Sequence, residues 1–186
     1  MGFTRITSPT CIAKSIKDGE IQSPKTPFTF TLWDRLEWDS LEAAAKSLNE
    51  IAQDSRVALI PGRLRDGLDP LRPHRRKRKG AEGAVVDCPQ TWVAIDLDGV
   101  EYDTLDEAIK AVLPEHFHDV SYVWQHTASS GIKPGLRFRL FFELPEPTSL
   151  LSIRTVLKRA GKGVDLSIYR PEALLYVATP SNSASA

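Results

Sequence analysis

Thr91-Trp-Val-Ala-Ile-Asp-Leu-Asp-Gly99 is an apolar, β-branched run that ends in two aspartates one residue apart. Strand side chains alternate between faces with period two. The run therefore predicts a buried strand on which Asp96 and Asp98 project together while Ile95 and Leu97 enter a core. Two carboxylates held that close repel, and each resists ionising unless a metal ion or an Arg or Lys neutralises them. The pair suits a divalent cation, and what converges on it decides the chemistry.

The surrounding chain is long enough, at 186 residues and 41% hydrophobic, to bury one good core, which predicts one compact domain with an appendage. Its 24 basic and 24 acidic residues cancel, so attraction to a polyanion must come from uneven placement. Cys11 and Cys88 stand far apart without C-x-x-C or Cys/His spacing, which argues against a disulfide scaffold or a zinc knuckle. With no signal peptide and no apolar stretch near the ~18 residues of a membrane span, the expectation is a soluble, cytoplasmic protein.

Residues 1–27 carry Ser8-Pro9, Ser23-Pro24 and Thr26-Pro27 and read as a flexible arm. Phe28-Thr-Phe-Thr-Leu-Trp33 alternates like a strand; Ser40 then caps a helix to about Gln53, with Leu41, Ala44, Ala45, Leu48 and Ile51 at helical spacing. Arg56-Val-Ala-Leu-Ile60 is a strand stopped by Pro61-Gly62, so a β-α-β opening is expected. Residues 63–79 hold eight Lys/Arg, Arg72, Arg75, Arg76, Lys77, Arg78 and Lys79 among them, against two Asp; they read as a mobile basic loop able to contact nucleic acid.

Beyond the aspartates, Thr104 opens a short helix ending before Pro114. Residues 120–127 form a strand, 127–135 a Ser/Gly-rich turn, and Leu136-Arg-Phe-Arg-Leu-Phe-Phe-Glu143 another strand. Thr148 starts a basic amphipathic helix to about Arg159, residues 164–166 and 173–179 close the sheet, and 181–186 read as a linker stub. Trp33, Trp38, Trp92 and Trp124 read as core or near-core aromatics, and His126 as structural.

If these strands form one antiparallel sheet, four features belong together: Asp96/Asp98, the turn holding Ser130 and Lys133, the pair Arg137/Arg139, and Asp165. Two guanidiniums on one strand face make a fork suited to phosphate oxygens, and a Gly/Ser turn adds backbone N–H donors. Three carboxylates plus phosphates complete the oxygen shell of magnesium or manganese. The set suits nucleotidyl transfer by a two-metal scheme. Each piece has a plainer reading: solvated carboxylates at a strand end, arginines on the wet face of an edge strand, and Asp165 as a loop or cap acid.

These residues resemble the archaeo-eukaryotic primase superfamily, and within it the primase-polymerase domains of plasmid, phage and integrative-element replication proteins. The likeness covers about the last 100 residues. Asp96-Leu97-Asp98 with Gly99 matches the first motif, and Val164-Asp165 the third, followed by a tyrosine-containing strand ending at proline. At the second motif the family usually carries a phosphate-contacting histidine where this chain has Arg139; arginine keeps a cation but gives up no proton.

The resemblance implies an α+β fold: an RRM-like, mostly antiparallel catalytic sheet over residues 91–180, preceded by an α/β module over 28–90, the two making a catalytic domain over 28–180. It also implies Asp96, Asp98 and Asp165 as catalytic metal ligands and Ser130, Lys133, Arg137 and Arg139 at a nucleoside triphosphate. The implied partners are a single-stranded DNA template and a helicase or further domains of a larger replication protein.

Two other readings compete. Asp-Leu-Asp-Gly after an apolar strand also resembles the nucleophile motif of haloacid-dehalogenase-type phosphatases, but that family expects the motif near the chain start on a parallel sheet. Arg139 prompts a third: a nucleic-acid-binding replication module that kept the fold and lost catalysis.

Overall fold

In the computed structural model, which describes residues 2–76, 83–160 and 163–182, the aspartate-bearing run lies inside one long strand, Gln90–Val100. Among the described residues the chain is α+β, with three α-helices and mainly antiparallel strands. Its strands are β1 (Thr4–Thr7), β2 (Ser15–Lys17), β3 (Glu20–Gln22), β4 (Thr29–Arg35), β5 (Val57–Ile60), β6 (Arg63–Leu64), β7 (His74–Arg75), β8 (Val85–Val86), β9 (Gln90–Val100), β10 (Val123–His126), β11 (Leu136–Thr148) and β12 (Ser181–Asn182). The helices are α1 (Leu41–Ala52), α2 (Leu105–Val112) and α3 (Leu150–Leu157). Each starts at a hydroxyl cap: Ser40, Thr104 with a reciprocal Glu107 bond, and Ser149. None is long and apolar enough to cross a membrane.

Two sheets carry the architecture. One has the order β5-β1-β4-β7, the other β10-β11-β9. The expected β-α-β opening is present as β4-α1-β5, but β1 is inserted between the two strands and runs antiparallel to both. The flexible arm expected over 1–27 is thereby corrected. Its strand β1 is central to a sheet, with Phe3, Ile6 and Ile12 buried, and β2 pairs with both β3 and β12. The prolines that suggested an arm only separate these short strands. The same pairing takes Ser181 and Asn182 out of the expected linker stub; residues 183–186 lie outside the described residues.

The basic segment is also more ordered than its composition suggested. β6 pairs with β8 and β7 with β4, Arg63 bridges Asp66, and Arg72 bridges Asp69. Lys77, Arg78 and Lys79 lie outside the described residues.

The β10-β11-β9 sheet is covered on both faces away from the aspartates. Trp92, Ala94 and Phe141 share one face by register, and there Phe3 and Trp38 meet Phe141 edge-on. On the other face Phe142 packs against Phe117 and Tyr122. The same cluster takes in Ala44, Leu48 and Ile51 of α1, so the core crosses the boundary expected between residues 90 and 91. The closing strands expected at 164–166 and 173–179 are reduced to bridges, Leu97 with Val164 and Leu59 with Leu175.

Candidate active site

Register places the chemistry. In the β11–β9 pairing Arg139 stands opposite Asp96 and Arg137 opposite Asp98. Directly opposed residues share a face, so the period-two pairs on the two strands meet side chain to side chain. On the other edge of β9 the Leu97–Val164 bridge is flanked by two backbone bonds, Asp165 N–H to the Asp96 carbonyl at 3.1 Å and Asp98 N–H to the Gly163 carbonyl at 2.8 Å. Asp165 therefore sits beside Asp96, as expected from the sequence. One row across the sheet reads Gln125, Arg139, Asp96, Asp165.

Gly99 enables this register. Leu136 pairs with Val100 while Arg137 pairs with Asp98, so Gly99 is the extra residue of a bulge, at φ 75°. Its Cα faces the Arg137 guanidinium, where a Cβ would come within 2.9 Å of Nη2. The glycine after the acidic pair thus has a backbone role.

The carboxylates are not bare. Arg139 grips Asp96 through two bonds, Nε to Oδ1 at 2.5 Å and Nη2 to Oδ2 at 2.7 Å, and its Nη1 donates to the Tyr176 carbonyl at 2.8 Å. Both residues are buried, 7% and 9% exposed. Burial alone would lower the Arg139 pKa, but the Asp96 carboxylate, with Asp165 behind it, outweighs it and raises it, so the guanidinium stays charged. Arg137 pairs with Asp98, whose side chain remains 60% exposed. Asp165 caps the turn Leu166–Ile168, accepting from the Ser167 N–H at 2.8 Å and from its hydroxyl at 3.0 Å. Asp165 is thus a cap acid, as the plainer reading has it. Beneath them the Tyr169 hydroxyl donates to the Ala94 carbonyl at 2.8 Å; burial first, then Asp96 and Asp165, raises its pKa well above the ordinary tyrosine value.

Asp96, Asp98, Asp165 and Arg139 line one cleft of about 160 Å³, together with Thr127, Ser129, Tyr176 and Lys14. Lys14 and Tyr176 escaped the sequence reading: Lys14 lay in the supposed arm, and Tyr176 contributes where a strand was expected. Ser130 and Lys133 are not part of the cleft lining. The Ser130 hydroxyl bonds His126 Nδ1 at 2.9 Å, Lys133 is exposed, and Ser129 takes the place expected of Ser130. Trp33, Trp38 and Trp92 are core residues as expected, whereas Trp124 is 50% exposed. It belongs to an edge strand and stacks edge-on with His126 and Phe138.

The donor chemistry fits magnesium or manganese, hard cations that take carboxylate oxygens. Asp98 and Asp165 are exposed, Asp98 bonded by Arg137 through one oxygen and Asp165 by Ser167 through both, while both oxygens of the buried Asp96 are bound by Arg139. Among the described residues no three His, Cys, Asp or Glu side chains are grouped so that together they could hold a metal ion. Comparison of the chain with protein-family models, with curated proteins and with solved structures returned no match.

Proposed function

We propose that the chain is a primase-polymerase domain that joins nucleotides on a single-stranded DNA template, its β10-β11-β9 sheet serving as an RRM-like palm. The observation carrying this reading is the convergence of Asp96, Asp98 and Asp165 with Arg139 on one cleft, although Asp165 comes from a distant part of the chain. Phosphate oxygens and a growing 3′ hydroxyl need a site with carboxylates for cations and fixed positive charge for the leaving group. Magnesium or manganese would supply charge neutralisation at the attacking and departing oxygens, held by Asp98 and Asp165 with Asp96. Arg139 holds Asp96 in place and keeps a permanent cation at the cleft wall; having no proton to give, it serves in electrostatics and not in acid-base chemistry.

The bidentate Asp96–Arg139 pair favours a second reading, in which the cleft is neutralised from within and the domain binds nucleic acid without catalysis. A phosphatase of haloacid-dehalogenase type fits less well, because β9 has antiparallel neighbours on both edges where that reading expects a parallel sheet. One experiment separates the three: incubation with a primed and an unprimed single-stranded template, nucleoside triphosphates and either Mg²⁺ or Mn²⁺, beside a phosphomonoester control. The expected result is template-directed incorporation, reduced at least ~100-fold in Asp98→Asn without loss of folding, as expected for a group that stabilises transition-state charge. Template binding with no incorporation under either metal replaces the enzyme by the binding module, and Asp96-dependent hydrolysis of the monoester replaces both.

A further inference from the structure

A second, larger cavity of about 690 Å³ opens between α1 and the free edge of β10, within the range of small-molecule sites, roughly 300–1,000 Å³. Its walls are Ala45, Leu48 and Ala52 of α1 on one side and Val123 and Val177 on the other. Among the described residues no Lys, Arg, Asp or Glu lines it. The cleft of the three aspartates differs in that Lys14, Asp96, Asp98, Arg139 and Asp165 all line it. The two share Thr127, Ala128 and Ala178, so an uncharged groove runs directly into a charged cleft.

The chain links them again at its N-terminal end. Lys14, just before β2, lines the charged cleft, and Ile16, within β2, lines the groove. Arg137 and Arg139 already have aspartate partners, while Lys14 makes no ion pair among the described residues. An incoming anion therefore meets the Lys14 ammonium without first breaking a bond. In the groove, Gln125 donates to the Val177 carbonyl at 3.2 Å, and its buried Oε1 has no hydrogen-bond partner. An acceptor left in that state calls for an N–H or O–H donor from a ligand.

From this we infer that the two compartments hold one nucleoside triphosphate, its base and ribose in the α1–β10 groove and its phosphates reaching Lys14 in the cleft. Apolar walls cover the faces of a base, the free amide oxygen takes a base or sugar donor, and with no Lys or Arg among the described lining residues the phosphates are left to the cleft. A single strand of nucleic acid along the same groove would need cations at its backbone, and among the described residues no Lys or Arg lines it. The inference rests on the proposed function for the role of the cleft, but it concerns binding and is tested by binding.

The test is isothermal titration of the full chain with the four ribonucleoside triphosphates and magnesium, with the matching nucleosides, and with inorganic tripolyphosphate. Ala45→Trp, and independently Thr179→Trp on the opposite wall, fill the groove; Lys14→Ala removes the free cation. Circular dichroism and thermal melting identify which variants are folded, and either groove variant suffices. The groove variants are expected to weaken triphosphate and nucleoside binding at least tenfold and leave tripolyphosphate unchanged. Lys14→Ala is expected to weaken triphosphate and tripolyphosphate about tenfold and leave nucleosides unchanged. Wild-type affinity for triphosphates in a folded groove variant overturns the inference, as does absence of any nucleotide binding to the wild type. The two proposals fail separately. Incorporation with unchanged KM in the groove variants removes the groove and keeps the polymerase, whereas groove-dependent nucleotide binding without incorporation does the reverse.

Discussion

Asp96 and Arg139 form a buried pair of opposite charges whose partners come from neighbouring strands, and the energetics of such pairs are asymmetric. Removing one partner leaves a buried charge uncompensated, whereas replacing both with apolar groups is close to neutral. Arg139→Met is therefore expected to destabilise the fold by about 3–5 kcal/mol, and Asp96→Leu/Arg139→Met to recover most of that loss. Urea unfolding of the two single variants and the double variant gives the coupling energy directly. A cost below about 1 kcal/mol for Arg139→Met would mean that Asp96 is solvated once its partner is gone, which its 9% exposure contradicts. Sequence alone could show that Asp96 with Asp98, and Arg139 with Arg137, each share a strand face, because period two is local. It could not show that the two faces are the same and the residues opposite, because register depends on which strands pair and where the bulge falls. The guanidiniums read as free phosphate ligands consequently turn out to be carboxylate partners.

The bulge at Gly99 is the element-scale device that sets this register, since without the extra residue Arg137 would face Gly99 instead of Asp98. Gly67 provides an internal control. It has a similar backbone angle, φ 83°, but a Cβ there would meet nothing within 4 Å, whereas at Gly99 it crowds the Arg137 guanidinium. Gly67→Ala should cost about 1 kcal/mol from the left-handed backbone alone. Gly99→Ala should cost at least ~1 kcal/mol more, by the strain of an overpacked contact. Equal shifts in the denaturation midpoint would show that Arg137 moves aside freely. Helices were the most legible elements: Ser40 and Thr104 start α1 and α2 where the capping residues stand, because caps are read within one turn. Strand β1 was not legible. Its four residues owe their central position to β4 and β5 on either side, a non-local pairing that local composition, broken by nearby prolines, does not reveal.

For the whole molecule, zero net charge hides a division between arginines held in ion pairs and cations left outside them. Arg5 bridges Asp34, Arg56 bridges Asp54, and within the basic segment Arg63 and Arg72 bridge Asp66 and Asp69. Arg76 is held differently: its guanidinium donates to the Glu172 carbonyl, and burial lowers its pKa below the usual arginine value. It ties the segment to the chain near Tyr176 and is a structural cation. Of the six residues read as nucleic-acid contacts, Arg75 is exposed, while Lys77, Arg78 and Lys79 lie outside the described residues and are tested together with it. Each phosphate contact on single-stranded nucleic acid steepens the dependence of log K on log salt by about 0.7, through counterion release. Replacing these four by glutamine should flatten the slope for a labelled single-stranded oligonucleotide by about 3, read by fluorescence anisotropy between about 50 and 200 mM salt. Arg72→Gln should alter it little, because Asp69 already screens that charge, and Arg76→Gln should lower the melting temperature and leave the slope of the folded protein unchanged. A slope that does not respond to the fourfold replacement would place the template elsewhere on the surface.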